Sequence, residues 1–142
     1  MHQRLRGKKC QPFNSDTKVR VRLPDQVRFY YPDLQVVCNP NSDDETFQDR
    51  PVVIVEVLSP STQRIDEAEK RDAYLTIPSL EVYLMVDSSM PAAVVYRRTD
   101  TGFKHEAYNG LSGSIALDCI GAELPLSDLY EGLNLPSLEL VE

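Results

Sequence analysis

Pro51-Val-Val-Ile-Val-Glu-Val-Leu58 is the stretch that decides the fold. Its apolar residues are continuous rather than alternating, and most are β-branched. That predicts a strand buried on both faces. Glu56 interrupts the run. A carboxylate in such a strand is costly to desolvate unless something positive pairs with it. Ser59-Pro-Ser-Thr62 breaks the strand, and a helical segment carrying Lys70 follows. A second acid, Asp33, opens another apolar strand after Tyr31-Pro32. Two acids at strand ends with a lysine nearby have the make-up of a divalent-metal site for phosphodiester chemistry.

Downstream of the central run, Asp66-Glu-Ala-Glu69 fits a capping box. The helix it opens is expected to reach about Thr76 and to stop before Pro78. Glu81-Val-Tyr-Leu-Met-Val-Asp87 reads as another buried strand. Strand, helix and strand across 52–87 make a βαβ crossover, so the two strands should be parallel. Further on, Ala92 to Arg97 and Phe103 to Tyr108 flank the turn Thr99-Asp-Thr-Gly102 and form an antiparallel hairpin. Ser114 to Leu117 is a short strand, and Ser127 to Glu131 a short helix with Ser127 as its cap.

Upstream, Thr17-Lys-Val-Arg-Val-Arg-Leu23 alternates polar and apolar residues, the pattern of a half-buried strand. Pro24-Asp-Gln is a turn. Phe29-Tyr-Tyr leads to Pro32, and Asp33 to Cys38 forms the next strand. Asn39 to Asp49 is a polar, acidic loop, and Met1 to Lys9 has the look of the last turns of a helix. The expected class is α/β, a mixed sheet flanked by helices with a C-terminal antiparallel hairpin. A chain of 142 residues makes one domain, 1–142, with a sizeable core.

Net charge is −7, unevenly spread. Residues 1–28 hold eight Lys/Arg against two Asp, a balance of +6, and the remainder carries −13. The acidic total argues against generic nucleic-acid affinity. The basic segment with Arg4, Arg6, Lys8, Lys9, Lys18, Arg20 and Arg22 is either a local phosphate-facing patch or a solvated helix end and strand face. No stretch reaches the length of a membrane span, and no signal peptide is evident. Cys10, Cys38 and Cys119 are odd in number, widely spaced and match no zinc pattern, which suggests a reducing cytosol. Cys38 is expected to be a small core side chain.

In the candidate site, Asp33 and Glu56 supply hard oxygen ligands if their strands are neighbours, with the Val57 carbonyl as a third. Lys70 shares a helix face with Asp66 and Tyr74 and is placed to orient water or stabilise charge. Plainer readings stand beside these. Pro32-Asp33 also fits a simple turn, Glu56 a structural acid bonding loop amides, and Lys70 a surface partner of Asp66. His105 falls on the hairpin and is expected to face solvent. Asp43-Asp-Glu45 lacks the spaced ligands and glycine of a calcium loop. No phosphate-binding glycine loop, dinucleotide fingerprint or nucleophile elbow is present.

At Tyr31-Pro-Asp33, Glu56-Val-Leu-Ser-Pro-Ser-Thr62, Lys70 and Val82-Tyr-Leu-Met-Val-Asp87 the chain resembles a known family. This is the restriction-endonuclease family named Uma-two, within the PD-(D/E)xK nuclease superfamily. The likeness covers residues 1 to about 134. It implies a DNA endonuclease core dependent on Mg²⁺ (or Mn²⁺), with Asp33 and Glu56 as metal ligands and catalytic acids. The superfamily's usual lysine lies two residues after the acid, where this chain has Leu58. The matching position is Lys70, on the helix. Asp87 is expected to shape a strand-end turn, and Tyr74 to pack the helix. Family members carry a further helix, strand and helix upstream, so the N-terminal part of the fold is expected to be missing. A face or edge left uncovered invites a homodimer. The resemblance therefore implies a cytoplasmic protein acting on DNA. The alternative is a catalytically inactive DNA-binding or self-associating module with a nuclease-like fold.

Overall fold

Alternate residues of the strand Pro51–Leu58 face two different cores. The chain's computed structural model describes residues 10–59 and 64–133. In chain order its strands are β1 (Gln11–Asn14), β2 (Lys18–Arg22), β3 (Val27–Tyr30), β4 (Leu34–Val37), β5 (Phe47–Gln48) and β6 (Pro51–Leu58). Helix α1 (Arg64–Tyr74) leads to β7 (Val82–Asp87), β8 (Ala92–Thr99), β9 (Gly102–Asn109), β10 (Ser114–Leu117), β11 (Ala122–Pro125) and helix α2 (Leu126–Leu133).

The main sheet has the order β1-β4-β6-β7-β8-β9. The β6–β7 pair is parallel, with Glu56 opposite Met85, and the crossover between them is α1, as the βαβ pattern predicts. Every other pairing in that sheet is antiparallel, so the sheet is mixed. The β8–β9 hairpin turns at Gly102, whose φ of 129° lies where only glycine sits without strain.

Period-two geometry then sorts the strands' side chains. Val53 and Val55 join Leu34, Val36, Leu84 and Val95 in one core, closed from outside by β10, β11 and α2. Ile54 joins Tyr83, Ala73, Tyr74, Val19 and Val21 in a second core, closed by α1 and by the small β3-β2-β5 sheet. Glu56 keeps step with Ile54 and so faces the second core and α1. Gln35 faces the same side and donates to the carbonyls of Thr17 and Lys18, which ties the small sheet to the large one.

Some elements depart from expectation. Helix α1 begins at Arg64, two residues before the expected cap Asp66. Asp and Glu are tolerated inside a first turn, so a capping-box pattern does not by itself fix a start. Helix α2 begins at Leu126, one residue before Ser127. Strand β1 carries Pro12 and no alternation, and it survives as an edge strand where a missing N–H is harmless. Strands β5 and β11 are too short to show a period. The helix expected over Met1 to Lys9 and the loop at 60–63 lie outside the described residues.

The cysteine reading also changes. The β1–β4 register brings Cys10 opposite Cys38, and the two form a disulfide across 28 residues of sequence. Sequence spacing carries no information about cross-strand distance. The bond withdraws the cysteine-based argument for a reducing compartment, since disulfides persist in oxidising ones. Both side chains still pack against the first core.

On that core's far side, the hydroxyl of buried Tyr130 donates to the Asp87 carbonyl at 2.6 Å and accepts from the Ala92 N–H at 2.9 Å. It thereby holds the β7–β8 connection against α2. Tyr130→Phe leaves those backbone groups without their partner and should cost about 1–3 kcal/mol in urea unfolding. Tyr108→Phe, at a half-buried phenol bonded to Glu106, should cost less.

Candidate active site

Glu56 is 5% exposed, and among the described residues it is the buried member of the charged set. Its place is fixed by strand parity, and its neighbours answer its charge. Helix α1 runs over this face of the sheet and presents Glu67, Lys70 and Tyr74, spaced three and four apart along one side. The Lys70 Nζ lies 3.3 Å from Glu56 Oε2. The Tyr74 hydroxyl donates to the same oxygen at 3.3 Å. The other oxygen, Oε1, accepts the Asp33 backbone N–H at 3.1 Å.

Asp33 stands just ahead of β4. Leu34 pairs with Val55, so Asp33 arrives beside Glu56 on the helix side of the sheet. Its Oδ2 accepts the Val57 N–H at 2.7 Å. The two acids are thus cross-tied: each carboxylate takes a backbone N–H from the other's strand. This reciprocity fixes both carboxylates at the end of the β4–β6 ladder, where the strand ends open into a cleft.

The cleft has a volume of about 210 Å³ and is lined by Tyr31, Asp33, Glu56, Val57, Leu58, Glu67, Lys70 and Tyr83. Asp33, Glu56 and Lys70, the residues singled out from the sequence, meet there. Leu58, at the position of the absent strand lysine, lines the same cleft, and Lys70 reaches in from the helix. Tyr74 does more than pack, since it also bonds Glu56. Glu67, Tyr31 and Tyr83 were not anticipated. For Glu67 the signal was present in its spacing from Lys70 and Tyr74, whereas Tyr83 becomes visible only once the β6–β7 register is known.

Other candidates fall away from the cleft. Asp87 accepts the N–H and hydroxyl of Ser89, both at 2.7 Å, and shapes the turn after β7 as expected. His105 is exposed on β9 and sits against the Tyr96 ring. The acids of Asp43-Asp-Glu45 are exposed, with Asp44 held by Ser42 and Glu45 by Asn41.

Burial pushes the Glu56 carboxyl above the ordinary carboxylate range. The Lys70 ammonium and the Asp33 N–H pull it back, while the Asp33 carboxylate adds to the rise. Burial, with the negative Glu56 close by, raises the phenols of Tyr74 and Tyr83 well above their usual value. Tyr74 therefore remains a proton donor to Glu56 at any working pH.

Among the described residues no group of three or more His, Cys, Asp or Glu side chains closes around one point. The donor set is a pair of carboxylates at a wet cleft. That set fits Mg²⁺, which keeps several waters and takes one or two protein carboxylates together with substrate phosphate oxygens. It does not fit zinc, which prefers nitrogen and sulfur ligands.

The chain is similar to several known proteins. The Uma2 family model, described as "Putative restriction endonuclease", matches residues 1–127. The uncharacterized protein slr1290 of Synechocystis sp. is 32% identical over 130 residues, which span 91% of this chain and 67% of that protein. A second uncharacterized Synechocystis protein, sll1609, is 32% identical over 72 residues, spanning 49% of this chain and 41% of its own length. The crystal structure of a "putative nuclease belonging to DUF820" from Anabaena variabilis matches with a TM-score of 0.68. It is 15% identical, and the match covers 93% of this chain and 74% of that one. At that identity the likeness is one of fold, and it agrees with the mixed, nuclease-like sheet.

The raised carboxyl has a consequence for stability. On unfolding, Glu56 returns to its ordinary, lower pKa, so the folded chain holds the proton to higher pH than the unfolded one. Stability therefore falls as pH climbs from the ordinary carboxylate value through the raised one. Glu56→Gln removes that penalty and leaves Lys70, whose side chain is 40% exposed, in contact with solvent. Thermal melts should show Glu56→Gln above the wild type at about pH 8, with the gap closing toward about pH 4. A gap that is constant, or that widens in acid, contradicts this account.

Proposed function

The chain belongs to the Uma2 family, and from that membership and the cleft's geometry we propose that it is a divalent-metal-dependent DNA endonuclease. The observation that carries the reading is the reciprocal tie of Asp33 and Glu56 within reach of Lys70. Glu56 occupies a place where a structural residue would be apolar, and the surrounding groups position it rather than hide it.

On this reading Asp33 and Glu56 hold Mg²⁺ or Mn²⁺, which when bound lowers the pKa of a water and offsets charge on the phosphate. The chain's own groups do the rest. The Asp33 and Val57 N–H groups fix the two carboxylates relative to one another, so little reorganisation is needed as substrate arrives. The Tyr74 hydroxyl orients Glu56 Oε2. The Lys70 ammonium, at the cleft's mouth, is placed to meet the negative charge that grows on the phosphoryl oxygens. Hydrolysis joins the water oxygen to phosphorus and breaks one phosphoester bond, with the proton passing to the leaving oxygen. With cellular DNA as the substrate, the location that goes with this reading is the cytoplasm. The Cys10–Cys38 disulfide lies at the opposite end of β4 from Asp33.

Supercoiled DNA incubated with Mg²⁺ or Mn²⁺ tests the reading. Wild type should nick it, Glu56→Ala should be inactive, and Lys70→Ala should retain the fold with kcat lowered about 10²–10³-fold. Equal nicking by wild type and Glu56→Ala would remove Glu56 from the chemistry. DNA binding without nicking, under both metals, would favour the inactive module instead. In the absence of DNA, saturating Mn²⁺ at about 100 times Kd should stabilise wild type by about 2.7 kcal/mol and leave Asp33→Ala unmoved.

A further inference from the structure

We propose that the outer face of the β3-β2-β5 sheet is a platform for single-stranded DNA that leads into the cleft. The proposal rests on the nuclease reading and extends it to the form of the substrate. Strand β2 turns Val19 and Val21 into the second core and Lys18, Arg20 and Arg22 outward. Strand β3 likewise turns Arg28 and Tyr30 toward α1, where Arg28 bonds Glu69 and the Tyr30 hydroxyl, and the Tyr30 ring meets Tyr74. Its other side presents Val27, Phe29 and, just past its end, Tyr31, which are 52%, 46% and 56% exposed. Scattered exposed apolar residues need no explanation, but three in a row along one strand face do.

Cations are interleaved with this apolar row. Lys18 Nζ lies 5.2 Å from the Phe29 ring centre. The Arg20 guanidinium lies 4.2 Å above Phe47, anchored there by two 2.7 Å bonds to Asp49. Arg20 is therefore neutralised and serves to hold Phe47, which meets Phe29 edge-on at 5.8 Å. Lys18 and Arg22 remain as positive charge on the face of a chain whose net charge is −7.

Exposed rings between cations match what unpaired nucleotides require: a surface for stacking the bases and positive charge for the phosphates. A duplex buries its base faces and has no use for Phe29. A second copy of the chain, packed face to face, would bring the Lys18 and Arg22 charges of both copies into one interface, which is unfavourable. Tyr31 joins platform to site, because it is exposed two residues after Phe29 and also lines the cleft with Asp33, Glu56 and Lys70.

The test is fluorescence anisotropy of a labelled oligo-dT strand with the full chain in EDTA, so that binding is read without cleavage. Phe29→Ala should weaken binding about tenfold with an unchanged melting temperature, and Phe29→Trp should restore it. Lys18→Ala and Arg22→Ala should each lower the slope of log K against log salt by about 0.7. A duplex of the same length should bind more weakly than the strand. Oligo-dT affinity unaffected by Phe29→Ala would overturn the platform, and continued nicking by that variant would leave the nuclease reading standing. If the wild type neither binds nor cleaves DNA, both fall. If Phe29→Ala instead turns a sedimenting dimer into a monomer and leaves oligo-dT binding unchanged, the face belongs to a second copy and the platform is wrong.

Discussion

The structure turns on the desolvation of one carboxylate. Bringing Glu56 to 5% exposure on a central strand costs several kcal/mol even after relaxation. Its strand neighbours Val53, Ile54 and Val55 are fully buried, and each contributes about 1.5–3 kcal/mol in return. The strand can therefore carry the acid, but nothing in packing alone asks for it. What asks for it is the set of groups converging on its two oxygens. Two donors reach Oε2 from α1 and one reaches Oε1 from the start of β4, a polar arrangement built around a negative charge.

The rest of the architecture follows from holding that arrangement still. The parallel β6–β7 pair requires a crossover, and the crossover places α1 over the sheet at the level of Glu56. The Tyr74 ring packs edge-on against Tyr30 and Tyr83 at 5.4 and 5.3 Å, so the hydroxyl that touches Glu56 belongs to a clamped ring. Strands β10 and β11 and helix α2 cover the opposite face of the sheet and take no part in the cleft. The cleft thus sits on the α1 side of the sheet beside the second core, and the first core backs it from the opposite face.

Much of this was legible in the chain. Pro51–Leu58 and Val82–Asp87 announce themselves by near-continuous apolar runs, and the helix between them makes them parallel. Asp33 and Glu56 stood out because one opens and the other interrupts an apolar strand, and Lys70 because a buried acid calls for a positive partner on the following helix. Other features depend on register, which sequence does not encode locally. Cys10 meets Cys38, and Tyr83 enters the cleft, only because particular residues pair across strands. Tyr74 shows the same limit in another form. An aromatic at helical spacing reads as packing, and its hydroxyl gains a role only when the sheet beneath supplies an acid. The exposed row Val27, Phe29 and Tyr31 was hidden because Tyr30, on the inner side, is as aromatic as its neighbours, so no apolar–polar alternation marks the outer side of β3.

The central claim, that Asp33 and Glu56 together hold a divalent cation, is tested most directly by calorimetric titration with Mn²⁺ in buffers of different ionisation enthalpy. Because burial keeps a proton on Glu56 to higher pH than usual, binding should displace that proton. One ion per chain is expected, with proton release that fades as pH rises through the raised Glu56 value. Asp33→Asn should bind far more weakly. No saturable heat in the wild type, or an unchanged isotherm in Asp33→Asn, would contradict the account.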